Sequence, residues 1–395
     1  MKGTKPDVII IDDVVKGGED TLSMKGYYDI IKAMDVFGIY SMEATSAHDP
    51  NVLAAIKEKM GTVESIEQTE EEVQYEPKAI EIPEGHKSFS DVFGWEPKSI
   101  PDIPMAVFNA DDWPESIRSR IPRVSKDYYF QPLPTEKLAF AMYVGGPILL
   151  YGETGTGKTT FPQEICARLN IPFLRASCHQ RQEATEFLGT NSVINQDGVP
   201  VTEHSDTDTT LAAKHGGLLC IDEAFRSPNL MAVQSLLEVP PRLQLQDALG
   251  VTRQLEPENP FWLVLTDNSN GVGDTTGNYL TEVQDLSTLN RINTVIHFPY
   301  MSREEEEIML KNIYPDMPEL VINKVAKIAH KVRDAFIQGK IQQAFSYRES
   351  ISALRNYEIL GDLAASFRFA YVDRLGSECA VIFNNCYRQV MGSDV

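Results

Sequence analysis

Short apolar runs alternate with amphipathic stretches between residues 136 and 300. Strands that are buried on both faces of a parallel sheet read as near-continuous apolar runs. Five runs fit this description, at 147–151, 172–176, 217–221, 261–266 and 293–298. Because helical stretches separate them, the pattern predicts an α/β domain with a parallel sheet and helices on both faces.

The pattern changes to helical spacing after Pro299. Further helices are predicted at 347–361 and 377–390, so residues 301–395 are expected to form a helical domain. One amphipathic stripe in this region places five apolar residues on a single helix face: Val321, Val325, Ile328, Val332 and Phe336.

The N-terminal part divides into three segments. Residues 1–60 predict a small α/β or α unit of unknown role, with helical spacing at 22–37 and 51–60. Residues 61–89 carry eight glutamates and few large apolar residues, which predicts an acidic linker. Residues 90–135 are rich in proline and aromatics and are expected to form an irregular N-terminal extension of a domain spanning 90–300.

Composition narrows the class of protein. The net charge of −21 disfavours binding to nucleic acid, because the phosphate backbone is also negative. The five cysteines are odd in number and dispersed, which fits a reducing cytoplasm, and the scattered histidines do not suggest a zinc site. We expect no membrane span and no signal peptide, since neither apolar pattern is present.

The segment after the first predicted strand carries the pattern G-x-x-x-x-G-K-[ST] and precedes a helix predicted at 160–169. Glycines there let the backbone wrap a polyphosphate with its amides pointing inward, and the helix N-terminus adds positive charge. Lys158 is expected to contact the terminal phosphates and Thr159 to bind Mg²⁺. The predicted nucleotide-binding residues are Gly152, Glu153, Thr154, Gly155, Thr156, Gly157, Lys158, Thr159 and Thr160.

Two carboxylates, Asp222 and Glu223, end the predicted strand at 217–221. Asp222 is expected to hold Mg²⁺ together with Thr159, and Glu223 to polarise the attacking water. A similar pair, Asp12-Asp13, follows an apolar run near the N-terminus; a solvated turn is the preferred interpretation there.

Three more polar residues lie where they could complete a hydrolytic site. Asn268 follows the strand at 261–266 and is the preferred residue for positioning water, with Thr266 and Asp267 as alternatives. Arg291 precedes the last strand and is expected to reach the nucleotide of a neighbouring subunit, a role worth about 10³–10⁵ in rate in other NTPases. Arg348, at the start of a predicted helix, is expected to contact the same phosphate from within its subunit.

This order of motifs resembles an AAA+ ATPase, and some segments are similar to the cobaltochelatase ATPase subunit, the CobS type, within the MoxR-related clade. The similar segments are 92–94, the loop 268–279, and 345–350, where tyrosine replaces the proline of a Ser-Pro-Arg second-sensor motif. Residues 197–203 resemble the hairpin that this clade inserts before the motif that ends here in Asp222-Glu223. Asp-Gly is also a common surface turn. The resemblance covers residues 90 to 395 and leaves out 1–60.

The resemblance implies a hexameric ring with ATP and Mg²⁺ at subunit junctions, and a partner protein carrying a von Willebrand A-type domain. The expected function is an ATP-driven, chelatase-like or remodelling machine in the cytoplasm of a bacterium, or of a host if the gene is phage-encoded. Two alternatives are a nucleic-acid motor and a slowly hydrolysing, assembly-associated ATPase; fold alone does not decide between them.

Overall fold

The computed structural model of the protein describes residues 80–196, 199–246, 251–273 and 283–395. The predicted N-terminal unit at 1–60, with its Asp12-Asp13 pair, lies outside the described residues. So do most of the predicted linker and residues 274–279 of the loop that follows Asn268.

The strands of the described residues are β1 (His86–Ser88), β2 (Pro104–Ala106), β3 (Ile148–Tyr151), β4 (Phe173–Ser177), β5 (Thr190–Gln196), β6 (Val199–Ser205), β7 (Gly217–Asp222), β8 (Leu243–Gln246), β9 (Thr252–Leu255), β10 (Phe261–Asp267) and β11 (Thr294–His297). Five of them form a parallel sheet, in the spatial order β11-β3-β10-β7-β4, at the centre of the α/β part of the chain. Three antiparallel ribbons accompany it: β1-β2, β5-β6 and β8-β9.

The predicted α/β fold class is confirmed, and each predicted sheet strand lies within one residue of the observed one. Residues 148–150 of β3 and all of β7 are buried, as expected for strands covered on both faces. Because the five strands are parallel, the loops that follow β3, β7 and β10 meet at one edge of the sheet. Ligands of open α/β sheets bind at this carboxyl edge.

Twelve α-helices occur among the described residues, and none of these is long and apolar enough to cross a membrane. They are α1 (Phe89–Phe93), α2 (Glu115–Arg118), α3 (Pro132–Val144), α4 (Thr160–Leu169), α5 (Ala184–Leu188), α6 (Asp208–His215), α7 (Leu286–Leu289), α8 (Arg303–Ile313), α9 (Glu319–Ile337), α10 (Tyr347–Leu360), α11 (Leu363–Ala370) and α12 (Ser377–Met391).

The N-terminal extension is more regular than its composition suggests. It contains β1, β2 and the short helices α1 and α2, and its Phe89, Trp113 and Ile117 are buried in the same core as the sheet. The expected boundary at residue 90 lies inside α1, so the folded region begins within the segment predicted as linker. Burial of these large side chains explains the difference, because a few of them suffice to fix a short segment.

Helices α8 to α12 pack around a second apolar core. We call this group of helices the lid. The predicted stripe from Val321 to Phe336 lies on α9 and faces this core. Phe345, Phe367 and Phe383 from the segments around α10, α11 and α12 complete it. The region is therefore helical and has an apolar core of its own, as the spacing of its apolar residues predicts.

Candidate nucleotide-binding site

The glycine-rich loop connects β3 to α4 at the carboxyl edge of the sheet. It packs so closely on its surroundings that side chains are excluded at two positions: a Cβ on Gly152 would collide with the Phe298 carbonyl, and one on Gly155 with the Ser346 side chain. Thr156 donates to the Glu153 carbonyl at 3.0 Å, and Thr160 begins α4. The loop thus forms a closed turn whose backbone leads into a helix N-terminus.

Lys158 is buried inside this turn. Its ammonium donates to the carbonyls of Gly152 and Glu153, both at 2.7 Å, and to Asn268 Oδ1 at 3.0 Å. Burial lowers the pKa of Lys158 to about 8, and the nearby carboxylates, led by Asp267, offset only part of that effect. The structure thus brings Lys158 and Asn268 together across 110 residues of sequence.

Asp222 accepts hydrogen bonds from three directions. Thr159 donates to Oδ1 at 2.7 Å, Thr266 donates to the same oxygen, and the Arg175 guanidinium binds Oδ2. Burial alone would raise the pKa of Asp222, but these hydrogen bonds and the Arg175 charge outweigh it and hold the pKa below its ordinary value. Asp222 is therefore an ionised carboxylate beside the hydroxyl of Thr159.

Glu223 lies just beyond β7 in the left-handed region, with φ of 55°. Its amide donates to Thr266 Oγ1 at 3.3 Å, and its carboxylate pairs with Arg226 at 2.6 Å. Burial raises the pKa of Glu223 despite the opposing charge of Arg226, with smaller contributions from Asp222 and Asp267. A carboxylate with a raised pKa is a stronger base for water.

The tip of β10 places three consecutive side chains in the site. Thr266 contacts Asp222, Asn268 contacts Lys158, and Asp267 accepts from the amides of Phe225 and Ser269, both at 3.0 Å. Thr266 and Asp267, the two alternatives for the water-positioning role, thus bind Asp222 and the segment that follows it. Asn268 is the residue of the three that contacts Lys158.

Arg291 lies at the opposite edge of the sheet. It precedes β11, whose first residue Thr294 pairs in register with Ile148 at the amino end of β3. Its guanidinium donates to the Ser287 carbonyl at 2.6 Å. The structure therefore does not bring Arg291 to the glycine-rich loop of its own chain.

Arg348 lies close to the glycine-rich loop and is exposed. Its amide donates to Ser346 Oγ at 3.2 Å in the N-terminal cap of α10, and Ser346 is the residue that lies against Gly155. The tyrosine in place of the family proline, Tyr347, is buried in the lid. Arg348 is thus the second residue of a helix whose N-cap lies against the loop.

Arg175 and Arg226 belong to the site but are missing from the predicted set. Arg175 is a charged residue within the apolar run at 172–176, and a charge in a strand of a parallel sheet is a signal that could have pointed to it. Arg226 lies three residues after Glu223, and nothing in the sequence distinguishes it from a surface arginine.

An aromatic pocket of about 440 Å³ opens between the N-terminal extension and α4. The motif at 92–94 contributes Val92 and Phe93, and the segment before α3 contributes three consecutive aromatics. Phe130 also packs on Phe161, the second residue of α4, with ring centroids 6.4 Å apart. The lining residues are Val92, Phe93, Trp95, Tyr128, Tyr129, Phe130, Pro132 and Arg168.

Comparison with known proteins agrees with this geometry. Residues 147–281 match the model of the AAA domain of the dynein-related subfamily. The chain is 26% identical over 321 residues to the aerobic cobaltochelatase subunit CobS of a Sinorhizobium species, covering 80% of this chain and 93% of that protein. Residues 147–281 are therefore an AAA domain, and the chain is similar to the MoxR-related AAA+ ATPases.

Two shorter matches show the same similarity. The denitrification regulatory protein NirQ of Pseudomonas aeruginosa is 35% identical over 126 residues, which are 31% of this chain and 46% of NirQ. Protein NorQ of Paracoccus denitrificans is 31% identical over 81 residues, which are 20% of this chain and 28% of NorQ. These matches cover less than half of each relative, so they support the ATPase domain alone.

Proposed function

We propose that this AAA+ chain hydrolyses ATP as a subunit of a hexameric ring and couples turnover to conformational change in a partner protein. The observation that carries the proposal is the convergence of Lys158, Asn268, Thr159 and Asp222 at the carboxyl ends of three neighbouring strands. Phosphoryl transfer requires this combination of positioning groups and charge.

The nucleotide would extend from the glycine-rich loop into the aromatic pocket. Loop amides and the N-terminus of α4 would bind the phosphates, with Lys158 as a charge inside the turn. The aromatic pocket, linked to α4 through Phe130 and Phe161, is the proposed place for the nucleobase, which stacks favourably on such rings.

The residues beside the loop also fit Mg²⁺. The Thr159 hydroxyl and the ionised Asp222 carboxylate lie 2.7 Å apart, and both are oxygen donors of the kind this ion prefers. When bound, Mg²⁺ would neutralise charge on the transferred phosphate. Arg175, which binds Oδ2 of Asp222, is the competing cation that must share or leave this carboxylate.

Glu223 is the proposed base that orients and deprotonates the attacking water, and Asn268 holds that water beside Lys158. Arg348 would contact the terminal phosphate from within the subunit. Arg291 would do so from a neighbour, since its edge of the sheet faces away from its own loop. In this arrangement each site is shared between two copies of the chain.

Substitution of Glu223 by glutamine tests this proposal. Because the amide cannot accept the water proton, we expect hydrolysis to fall by roughly 100-fold or more while nucleotide affinity changes little. Phosphate release and binding of a fluorescent ATP analogue would be measured in parallel, with ring assembly followed by sizing. Glu238→Gln, which removes a surface charge paired with Arg242, is the matched control.

Two results would contradict the assignment. One is hydrolysis by the Glu223→Gln protein at the wild-type rate. The other is a wild-type protein that releases no phosphate under any condition, including with candidate partners added.

The partner is proposed to carry a von Willebrand A-type domain, and the cytoplasm is the proposed location. Candidate contact elements are the exposed β5–β6 hairpin and residues 180–189. A chelatase-like role rests on the similarity to a relative named as a cobaltochelatase subunit. The domains 90–300, with its start extended to β1, and 301–395 are proposed from the two separate apolar cores.

A further inference from the structure

The segment that connects the sheet to the lid runs along the glycine-rich loop. The Phe298 carbonyl occupies the space beside Gly152, and the Tyr300 hydroxyl donates to the Thr154 carbonyl at 2.7 Å. Ser346 of the lid lies against Gly155. The connecting segment and the lid therefore contact three nearby residues of the loop. Of these three contacts, the one made by Tyr300 is a hydrogen bond.

The ring of Tyr300 also packs against the most deeply buried charges of the lid. The Arg333 guanidinium lies 4.8 Å from the Tyr300 ring centroid and 4.6 Å from that of Tyr347. Arg333 makes two hydrogen bonds to Glu306, of 2.5 and 3.0 Å, and both residues are almost fully buried. A buried, doubly hydrogen-bonded pair holds a fixed geometry, so the ring of Tyr300 rests on a rigid support.

The same support fixes the residues that precede Arg348. Arg333 Nε donates to the Phe345 carbonyl at 2.8 Å, and the Tyr347 hydroxyl accepts from the amide of Met301, next to Tyr300. Phe345 is thereby tied to Arg333, and Tyr347 to the segment that contains Tyr300. The direction in which Arg348 leaves the start of α10 depends on these contacts.

We propose that Tyr300 is a positioning residue that couples the state of the glycine-rich loop to the placement of Arg348. This inference rests on the proposed ATPase function and adds a residue that neither the motifs nor the comparisons assign. A displacement of the Thr154 carbonyl on phosphate binding would move the Tyr300 hydroxyl, and the stacked Arg333 and Tyr347 would carry that movement to the start of α10.

The hydroxyl of Tyr300 remains a donor at any working pH. Burial raises its pKa well above the ordinary value, although the Arg333 charge opposes the effect. Its link to Thr154 is therefore independent of titration. Removal of the hydroxyl by substitution is the direct way to break the link.

Tyr300→Phe keeps the ring on Arg333 and removes only the hydrogen bond to Thr154. We expect kcat for ATP hydrolysis to fall about five- to tenfold, with KM and analogue affinity changed less than about twofold. Tyr314→Phe is the matched control, because Tyr314 also donates to a backbone carbonyl, that of Ile351 at 3.0 Å, within the lid. The control should keep wild-type kcat.

Two further measurements separate coupling from simple lid stability. Tyr300→Phe added to Arg348→Ala should lower kcat no further, because both act through the same arginine. Amide hydrogen exchange should show α10 protected by a bound ATP analogue in wild type and in Tyr314→Phe, but not in Tyr300→Phe.

The inference is overturned if Tyr300→Phe keeps wild-type kcat, if its loss multiplies with that of Arg348→Ala, or if α10 protection persists. A wild-type protein that shows the α10 response but no hydrolysis would refute the proposed function and leave the coupling standing. A wild-type protein without the α10 response would refute the coupling, whatever its activity.

Discussion

Lys158 shows how the site uses burial at the scale of a single residue. Its ammonium lies inside the glycine-rich turn, and desolvation brings its pKa from 10.5 to about 8. Between these two values the unfolded chain binds more protons than the folded chain, so this residue's contribution to stability rises with pH across that window. A nucleotide reverses the preference, because its phosphates favour the protonated amine.

Nucleotide affinity should therefore fall as the pH rises above about 8. Binding must restore the proton that Lys158 has lost in the free protein, at a cost of roughly tenfold in affinity per pH unit. Titrations of an ATP analogue between about pH 7.5 and 9.5 would measure this. Lys158→Arg is the control: its charge persists over the range, so its affinity, whatever its value, should stay flat. A flat wild-type profile would contradict the prediction.

Residues of the site were predictable where spacing alone defines their role. The loop 152–160 and the pair Asp222-Glu223 follow apolar strands directly, so sequence order implies their meeting at one edge of the sheet. Arg175 and Arg226 could not be chosen in this way. Their importance comes from which carboxylate oxygen they face, and that depends on strand order and on the turn at Glu223.

At the scale of elements, the lid is organised around one ion pair. Glu306 of α8 and Arg333 of α9 are almost fully buried, and Ser350 of α10 donates to Glu306 at 2.7 Å. The pair and Ser350 together therefore join three helices. Breaking one side of such a pair leaves an uncompensated buried charge, which costs far more than a surface pair does.

Glu306→Ala is expected to destabilise the protein by about 3–5 kcal/mol, because Arg333 is left buried without its partner. Asp373→Ala is the control: it breaks the exposed pair with Arg368 in the same domain and should cost less than about 1 kcal/mol. Urea unfolding followed by circular dichroism would measure both. Similar costs for the two variants would show that the Glu306 pair has no special role in the lid.

The elements were predicted well where apolar periodicity is strong and poorly where charge hides it. All five sheet strands and α9 follow from apolar runs or stripes. Helix α8 has three glutamates in its first turn, which obscure the apolar face formed by Met309 and Leu310. The extension at 90–135 lacks periodicity altogether, since its order comes from single large side chains inserted into the core of the sheet domain.

At the scale of the whole molecule, the two edges of the sheet carry different groups. The carboxyl edge carries the glycine-rich loop, Asp222 and Glu223, while Arg291 precedes a strand at the amino edge. A subunit alone cannot bring these groups together. A head-to-tail ring can, because each heterologous junction joins one edge of a copy to the other edge of its neighbour.

Mixing two inactive variants tests this arrangement. The Arg291→Ala subunit keeps Glu223, and the Glu223→Gln subunit keeps Arg291. Where a Glu223→Gln subunit offers its Arg291 to the nucleotide site of an Arg291→Ala subunit, that site therefore has every catalytic group. Each variant alone should be nearly inactive, whereas equal mixtures that exchange subunits should recover up to about a quarter of wild-type hydrolysis, since random assembly completes one junction in four. Phosphate release after co-refolding or co-expression measures this, and Arg291→Ala should still bind nucleotide. Mixtures that exchange subunits yet stay as inactive as their parents would contradict the action of Arg291 across a junction.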